Sequence, residues 1–295
     1  MKFGVNTLIW SAGIDGEVLS HFAEVRRRGF DGVEMPLIGA MTVTTAELRR
    51  AFGESGLACN FCTIVPHDRN PIAADAEVRR KGREHLMDRI RTVAEAGGEV
   101  LAGPLYAPVG YLPGHRRTAD EWQWAVECFQ SLGETLDACN VHLALEPLNR
   151  FETYFLNTAA DAVRLADAVG HPKIGVLFDT FHANIEEKDV AEALRAAGPR
   201  LTHFHACEND RGAPGSGHVD WQGVFRALGD LRYDQWVTIE SFGFHLPELS
   251  AAAAIWRDLA PTPESIAFEG VEFLKRGLGQ TSNVAALPAP IPGAL

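Results

Sequence analysis

Eight times along this chain a short apolar run is followed by a longer segment whose apolar residues recur at helical spacing, and no other feature restricts the fold as much. The pairs begin with "KFGVNTLIW" and "GEVLSHFAEVRRRG", "GVEMPL" and "TAELRRAFGESG", "ACNFCTIV" and "AEVRRKGREHLMDRIRTVAEAG". They continue with "EVLAGPL" and "ADEWQWAVECFQSLGETLDACN", "VHLALEP" and "TAADAVRLADAVG", "IGVLFDT" and "VAEALRAAG". "LTHFHAC" with "WQGVFRALGD" and "QWVTIESF" with "ESIAFEGVEFLKRGL" complete the series. Such alternation predicts parallel strands joined by crossover helices. Eight units in 295 residues fit a closed barrel, which typically needs roughly 250 residues. An open doubly wound sheet would call for a glycine-rich first turn, and "GVNTLIWSAG" contains no GxGxxG. The expected fold is therefore α/β, a single-domain (β/α)8 TIM barrel over residues 1–280, with its chemistry at the C-terminal ends of the strands.

Two segments depart from the repeat. "GFHLPELSAAAAIWRDLAPTP", within an insertion at about 243–264, follows the eighth strand and is long enough to carry a helix over the barrel mouth. Residues 281–295 include "ALPAPIPGAL" and read as a proline-rich, extended tail.

Composition excludes several classes. With 46% hydrophobic and 22% charged residues the chain can bury a large core and is not a disordered polymer. A net charge of -12 opposes phosphate tracking, which depends on Lys and Arg displacing counterions, so no nucleic-acid partner is expected. The apolar stretch at the N-terminus is too short to span a membrane and lacks a signal-peptide pattern; we expect no membrane partner and a cytoplasmic location. Five cysteines, an odd number dispersed over the chain, fit reduced thiols rather than a disulfide framework. The CxxC of "CNFC", Cys59 and Cys62, has no second cysteine pair and reads as two core or pocket-edge thiols.

The last four strands each end on a side chain that can ligate a metal: Glu146 in "LALEP", Asp179 in "GVLFDT", His205 in "THFHAC" and Glu240 in "VTIES". Any one of them could be a helix cap, an ion-pair partner or a core histidine. Four on consecutive strands at the catalytic rim point to a divalent cation, because three carboxylates and an imidazole make a hard, mostly oxygen-donor set. Mn²⁺, Mg²⁺ and Co²⁺ all suit such a set, and Mn²⁺ is the one expected, with Co²⁺ or Mg²⁺ as alternatives. Strand alternation puts His203 on the same face as His205, so the pattern alone does not exclude His203, although His205 is nearer the strand end.

"EPLNRFETYFLNT", "DTFHANIEE", "HFHACENDRGAPGSGHVDW", "TIESF" and "IWRDL" resemble the sugar isomerase/epimerase barrels of the xylose-isomerase-like superfamily, most closely the D-tagatose 3-epimerase and D-allulose (psicose) 3-epimerase group. The resemblance is dense from about residue 140 to 260 and mainly architectural before that. It implies the same four metal ligands in the same order. It further implies that Glu152, His182 and Arg211 grip the carbonyl end of a free sugar; otherwise these would be a solvated loop acid, a helix cap and a surface ion pair. The implied activity is metal-dependent 3-epimerisation of a ketohexose or ketopentose through an enediolate. Glu146 and Glu240 would be the two acid/bases, one on each face of C3. Asn6, Trp10, Cys62 and Phe244 are candidates for the wall at the far end of the sugar, with plain packing roles equally open to them. The resemblance also implies a homodimer or homotetramer. An aldose–ketose or hydroxypyruvate-type isomerase would use the same barrel, metal and bases. An apurinic-site endonuclease would need more histidines and a basic groove, and a non-catalytic sugar-binding barrel would not need paired carboxylates.

Overall fold

A computed structural model describes residues 1–284. Eight parallel strands close into one barrel in sequence order: β1 Lys2–Asn6, β2 Gly32–Pro36, β3 Ala58–Cys62, β4 Val100–Gly103, β5 His142–Leu145, β6 Ile174–Asp179, β7 Leu201–Ala206 and β8 Trp236–Ile239. Pairing of β1 with β8 shuts the ring, with Lys2 opposite Trp236 and Val5 opposite Ile239. The (β/α)8 expectation from the sequence is met.

Strand alternation divides the side chains into two populations. Phe178 and Phe204 point outward, stack with ring centroids 6.1 Å apart and are fully buried in the main apolar cluster. Removing either ring should cost about 3–5 kcal/mol, because a packed core collapses only partly around a deletion. Their chain neighbours Leu177, Asp179, His203 and His205 face the other way, and the register sets Leu177 beside His203 and Asp179 beside His205. The inner side is uneven. Val100, Ala102, Ala144 and Leu177 form a small apolar cluster of their own, whereas Asn6, Glu34, Asn60, His203, His205 and Thr238, all on β1 to β3, β7 and β8, are buried polar residues.

Local chemistry sets the element ends. The sequence run "KFGVNTLIW" leaves strand geometry at Asn6, whose side chain accepts from the Leu8 backbone N–H at 2.9 Å and opens a short 3-10 turn, Thr7–Ile9. The segment read as one helix, "ADEWQWAVECFQSLGETLDACN", is two, Ala119–Gln130 and Gly133–Cys139; Ser131 Oγ turns back on the Cys128 carbonyl at the break. At the end of β4, Gly103 has φ +129°, and a Cβ there would lie 2.3 Å from the Thr63 carbonyl oxygen.

The insertion carries the helix Pro247–Ala252. The last helix, Pro263–Val284, extends past residue 280, and 285–295, most of the segment read as a tail, lie outside the described residues. Among the described residues no helix is long and apolar enough to cross a membrane.

Candidate active site

Glu146 follows β5 directly, and its backbone N–H donates to the Gly103 carbonyl at 3.0 Å while Tyr106 OH donates to its carbonyl at 2.9 Å. The carboxylate is thus delivered to the barrel mouth by backbone held on both sides. Asp179 ends β6 and caps the helix Thr180–Glu186 through a 2.7 Å bond from the Phe181 N–H. That leaves its Oδ2 to face inward. Together with His205 of β7 and Glu240 after β8, these residues offer ligand atoms that all lie within 4.8 Å of one another, and all four residues are buried. His205 Nδ1 faces Glu240 Oε1 at 3.4 Å and has no hydrogen-bond partner among the described residues. A buried, unpartnered nitrogen amid three carboxylates fits a divalent cation, the group such a donor set is built to hold. His203 is not among these four: it stands against Glu34, with which it and His205 form a second group of residues close enough to hold an ion.

The three residues expected to grip a substrate surround the same point. Arg211 Nη1 donates to Asp179 Oδ2 at 2.7 Å and to Glu240 Oε2 at 2.6 Å, and its Nη2 lies 3.1 Å from His182 Nε2. The guanidinium stacks over Phe181, 4.0 Å from the ring centroid. Far from making a surface ion pair, it is buried. His182 Nδ1 faces the Asn149 backbone N–H at 3.1 Å, and Nε2 lies 3.6 Å from Glu146 Oε1. Glu152 Oε1 accepts from Asn149 Nδ2 at 2.7 Å.

Glu146, Glu152, His182, Arg211 and Glu240 all line one cavity of about 1120 Å³. Asp179 and His205, at 2% and 1% exposure, do not reach it. Residues from the insertion, Leu249, Ala252 to Arg257 and Leu259, form part of its wall, and Arg257 Nη2 joins the insertion to Asp210 at 2.7 Å. Of the four residues suggested for the far wall, Cys62 lines the cavity. Asn6 is instead wholly buried on Glu34, Trp10 stacks on His21, and Phe244 packs against the core and His245.

The electrostatics drive the two glutamates apart. Burial pushes Glu146 well above the ordinary carboxylate range, reinforced by the charge of Glu240. Burial also acts on Glu240, but His205 and Arg211 outweigh it and hold that carboxyl at about 2. Asp179 is pushed up to about 6 by burial, against the pull of Arg211. His182 is driven well below the usual histidine range by burial and by the adjacent guanidinium; it is neutral at physiological pH.

Several supporting residues went unassigned in the sequence reading. Glu208 is fully buried and accepts from the Gly215 and Val219 N–H groups at 2.9 Å and from Trp221 Nε1 at 2.8 Å. The glycine-rich loop "RGAPGSGHVDW" therefore closes on Glu208. A Cβ on Gly217 would lie 2.7 Å from Glu208 Cγ, so glycine permits the approach. The loop in turn holds Arg211 at φ +69°, a strained setting for a non-glycine residue, secured by Ser241 Oγ donating to its carbonyl at 2.6 Å. Glu34 also had a visible signal, since a carboxylate interrupts the apolar run "GVEMPL" at an inward-facing position. Asn149 had none, because its partners are 3 and 33 positions away.

Residues 22–277 match the model of the xylose isomerase-like TIM barrel family, and the chain belongs to that family. It is 39% identical over 277 residues to a "probable ketose 3-epimerase" of Synechocystis sp., covering 94% of this chain and 96% of that one. It is 32% identical to an L-ribulose 3-epimerase of Mesorhizobium japonicum, covering 97% of each. Among solved structures, an L-ribulose 3-epimerase superposes with TM-score 0.92 at 31% identity, covering 99% of both chains. A D-allulose 3-epimerase from Methylomonas sp., in complex with D-allulose, superposes with TM-score 0.88 at 28% identity, covering 94% of this chain and 96% of that one.

Proposed function

We propose that this chain, an isomerase of the ketose 3-epimerase group, inverts C3 of a free ketohexose or ketopentose. The observation that carries the proposal is that Glu146 and Glu240, two carboxylates of the candidate metal group, face one cavity together with Glu152, His182 and Arg211. Two carboxyl groups at one cavity are what a two-base inversion requires. The names of the relatives supply the reaction class.

Glu146, Asp179, His205 and Glu240 would hold the divalent cation, Mn²⁺ foremost, with Co²⁺ or Mg²⁺ as alternatives. When bound, the cation supplies Lewis-acid polarisation of the C2 carbonyl and acidifies the C3 proton. One of Glu146 and Glu240 then removes that proton and the other returns a proton to the opposite face of the enediolate, their order set by the direction of reaction. His182 Nε2 and the Arg211 guanidinium meet at 3.1 Å; together they orient and polarise the carbonyl end of the sugar. Glu152, tethered by Asn149, accepts from hydroxyls near C1 and C2. The cavity is larger than the roughly 300–1,000 Å³ of small-ligand sites, so its size alone does not restrict the ketose to five or six carbons. The insertion, as a wall of that cavity, serves as a lid. A cytoplasmic homodimer or homotetramer completes the proposal; the five free thiols suit a reducing compartment, and sedimentation would size the assembly.

Turnover in deuterated water tests the reading. Deuterium should enter C3 of the epimeric ketose and leave C1 unlabelled. Label confined to C1 or C2, or an aldose as main product, would replace the epimerase reading with an aldose–ketose isomerase on the same barrel.

A further inference from the structure

Glu34 lies in the middle of β2, is wholly buried and touches neither the cavity nor the three carboxylates of the candidate metal group. Its Oε1 stands 2.9 Å from His205 Nε2 and accepts from Asn6 Nδ2 at 2.7 Å. Its other oxygen, Oε2, stands 2.7 Å from His203 Nε2, an ion-pair distance at which neither atom has a hydrogen-bond partner among the described residues. The carboxylate is thus clamped by three groups from two other strands, β1 and β7. His205 consequently has two distinct ends: Nε2 is engaged by Glu34, and Nδ1 is turned toward Glu240 without a hydrogen-bond partner.

An imidazole nitrogen must be free of its proton to ligate a metal, and the neutral ring carries its proton on the other nitrogen. A carboxylate opposite Nε2 fixes the proton there and fixes the ring plane as well. We infer that Glu34 is a positioning residue: through Nε2 it holds His205 so that Nδ1 is the nitrogen presented to Glu146, Asp179 and Glu240, while His203 and Asn6 hold Glu34. This rests on the reading of those four residues as the metal group. Glu34, His203 and His205 also stand close enough together to hold an ion; the direct contacts of 2.7 and 2.9 Å between their own atoms fit a clamp.

The test uses the whole protein, stripped of metal and titrated with Mn²⁺ by calorimetry, beside Glu34→Gln, an isostere that keeps volume but loses the charge. Wild type should bind one ion per chain, and the variant should bind it about 10- to 100-fold more weakly. In parallel, wild-type protein labelled with ¹⁵N-histidine and loaded with ¹¹³Cd²⁺ should show one-bond cadmium coupling at His205 Nδ1 and a proton on Nε2. Equal affinity in the two proteins, or coupling at Nε2, would overturn the inference and leave the metal group standing. Two ions per wild-type chain would overturn it by making Glu34 and His203 ligands. No ion bound by wild type would bring down the metal group and the inference together. If Glu34→Gln does not fold, the coupling measured on wild type still decides.

Discussion

Arg211 Nη1 lies 2.6 Å from Glu240 Oε2 and 2.7 Å from Asp179 Oδ2, so a residue assigned to the substrate sits directly on two of the carboxylates assigned to the metal. A guanidinium and a divalent cation bound to the same oxygens repel one another. Arg211→Ala should therefore keep its metal content and bind Mn²⁺ as tightly as wild type or more so, while kcat/KM falls by at least about tenfold, the equivalent of roughly 1.4 kcal/mol of transition-state binding. Calorimetry and steady-state kinetics measure the two halves separately. Weaker Mn²⁺ binding would mean that the division between metal ligands and substrate contacts is drawn wrongly.

Exhaustive chelation should abolish activity, and added Mn²⁺ or Co²⁺ should restore it. Chelation should also lower the melting temperature, because a cation bound only by the folded state stabilises it by about 2.7 kcal/mol at a hundredfold excess over Kd. A fully active metal-free preparation, or a melting temperature unchanged by chelator, would contradict the site.

Metal affinity should rise with pH. In the metal-free arrangement Glu146 is raised well above the ordinary carboxylate range by burial and Glu240, and Asp179 is pushed up to about 6 by burial. Both must be deprotonated in the bound state, which therefore holds fewer protons than the free state. Affinity is then greatest above these values and is lost as pH falls through about 6. Titrations in buffers of different ionisation enthalpy should register proton release on Mn²⁺ binding at pH 6, and an affinity constant between pH 5.5 and 7.5 would refute the assignment.

Glu152→Gln keeps a hydrogen-bonding tip and the contact with Asn149 but loses the charge offered to sugar hydroxyls. It should raise KM or lower kcat while leaving Mn²⁺ stoichiometry and melting temperature near wild type. Loss of metal in this variant would place Glu152 among the ligands.

Glu208→Ala removes an acceptor shared by three backbone N–H groups and the Trp221 indole. Donors buried without a partner cost about 1–3 kcal/mol each, so thermal denaturation should show a loss of at least about 2 kcal/mol. The strained backbone of Arg211 depends on the same loop, and kcat/KM should fall with stability. A variant of unchanged stability would show that the loop does not rely on Glu208.

The sequence by itself determined the barrel, because eight alternations of strand and helix periodicity leave few other ways to bury that much apolar surface. It also determined which residues meet at the rim: strand parity and position place Glu146, Asp179, His205 and Glu240 at the ends of four neighbouring strands. Parity could not choose between His203 and His205, which share a face. Tertiary structure sets His203 against Glu34 from β2 and turns His205 Nδ1 toward the carboxylates. It likewise decided that Asn6 belongs to this buried clamp and not to the cavity wall, and that the glycines of the loop after β7 close on Glu208. For His203, His205 and Asn6 the physical reason is the same. Periodicity reports which way a side chain leaves its own strand, whereas its partner, and with it the cost of burying a charge, comes from chain as many as 171 positions away, and only closure of the barrel brings the two together.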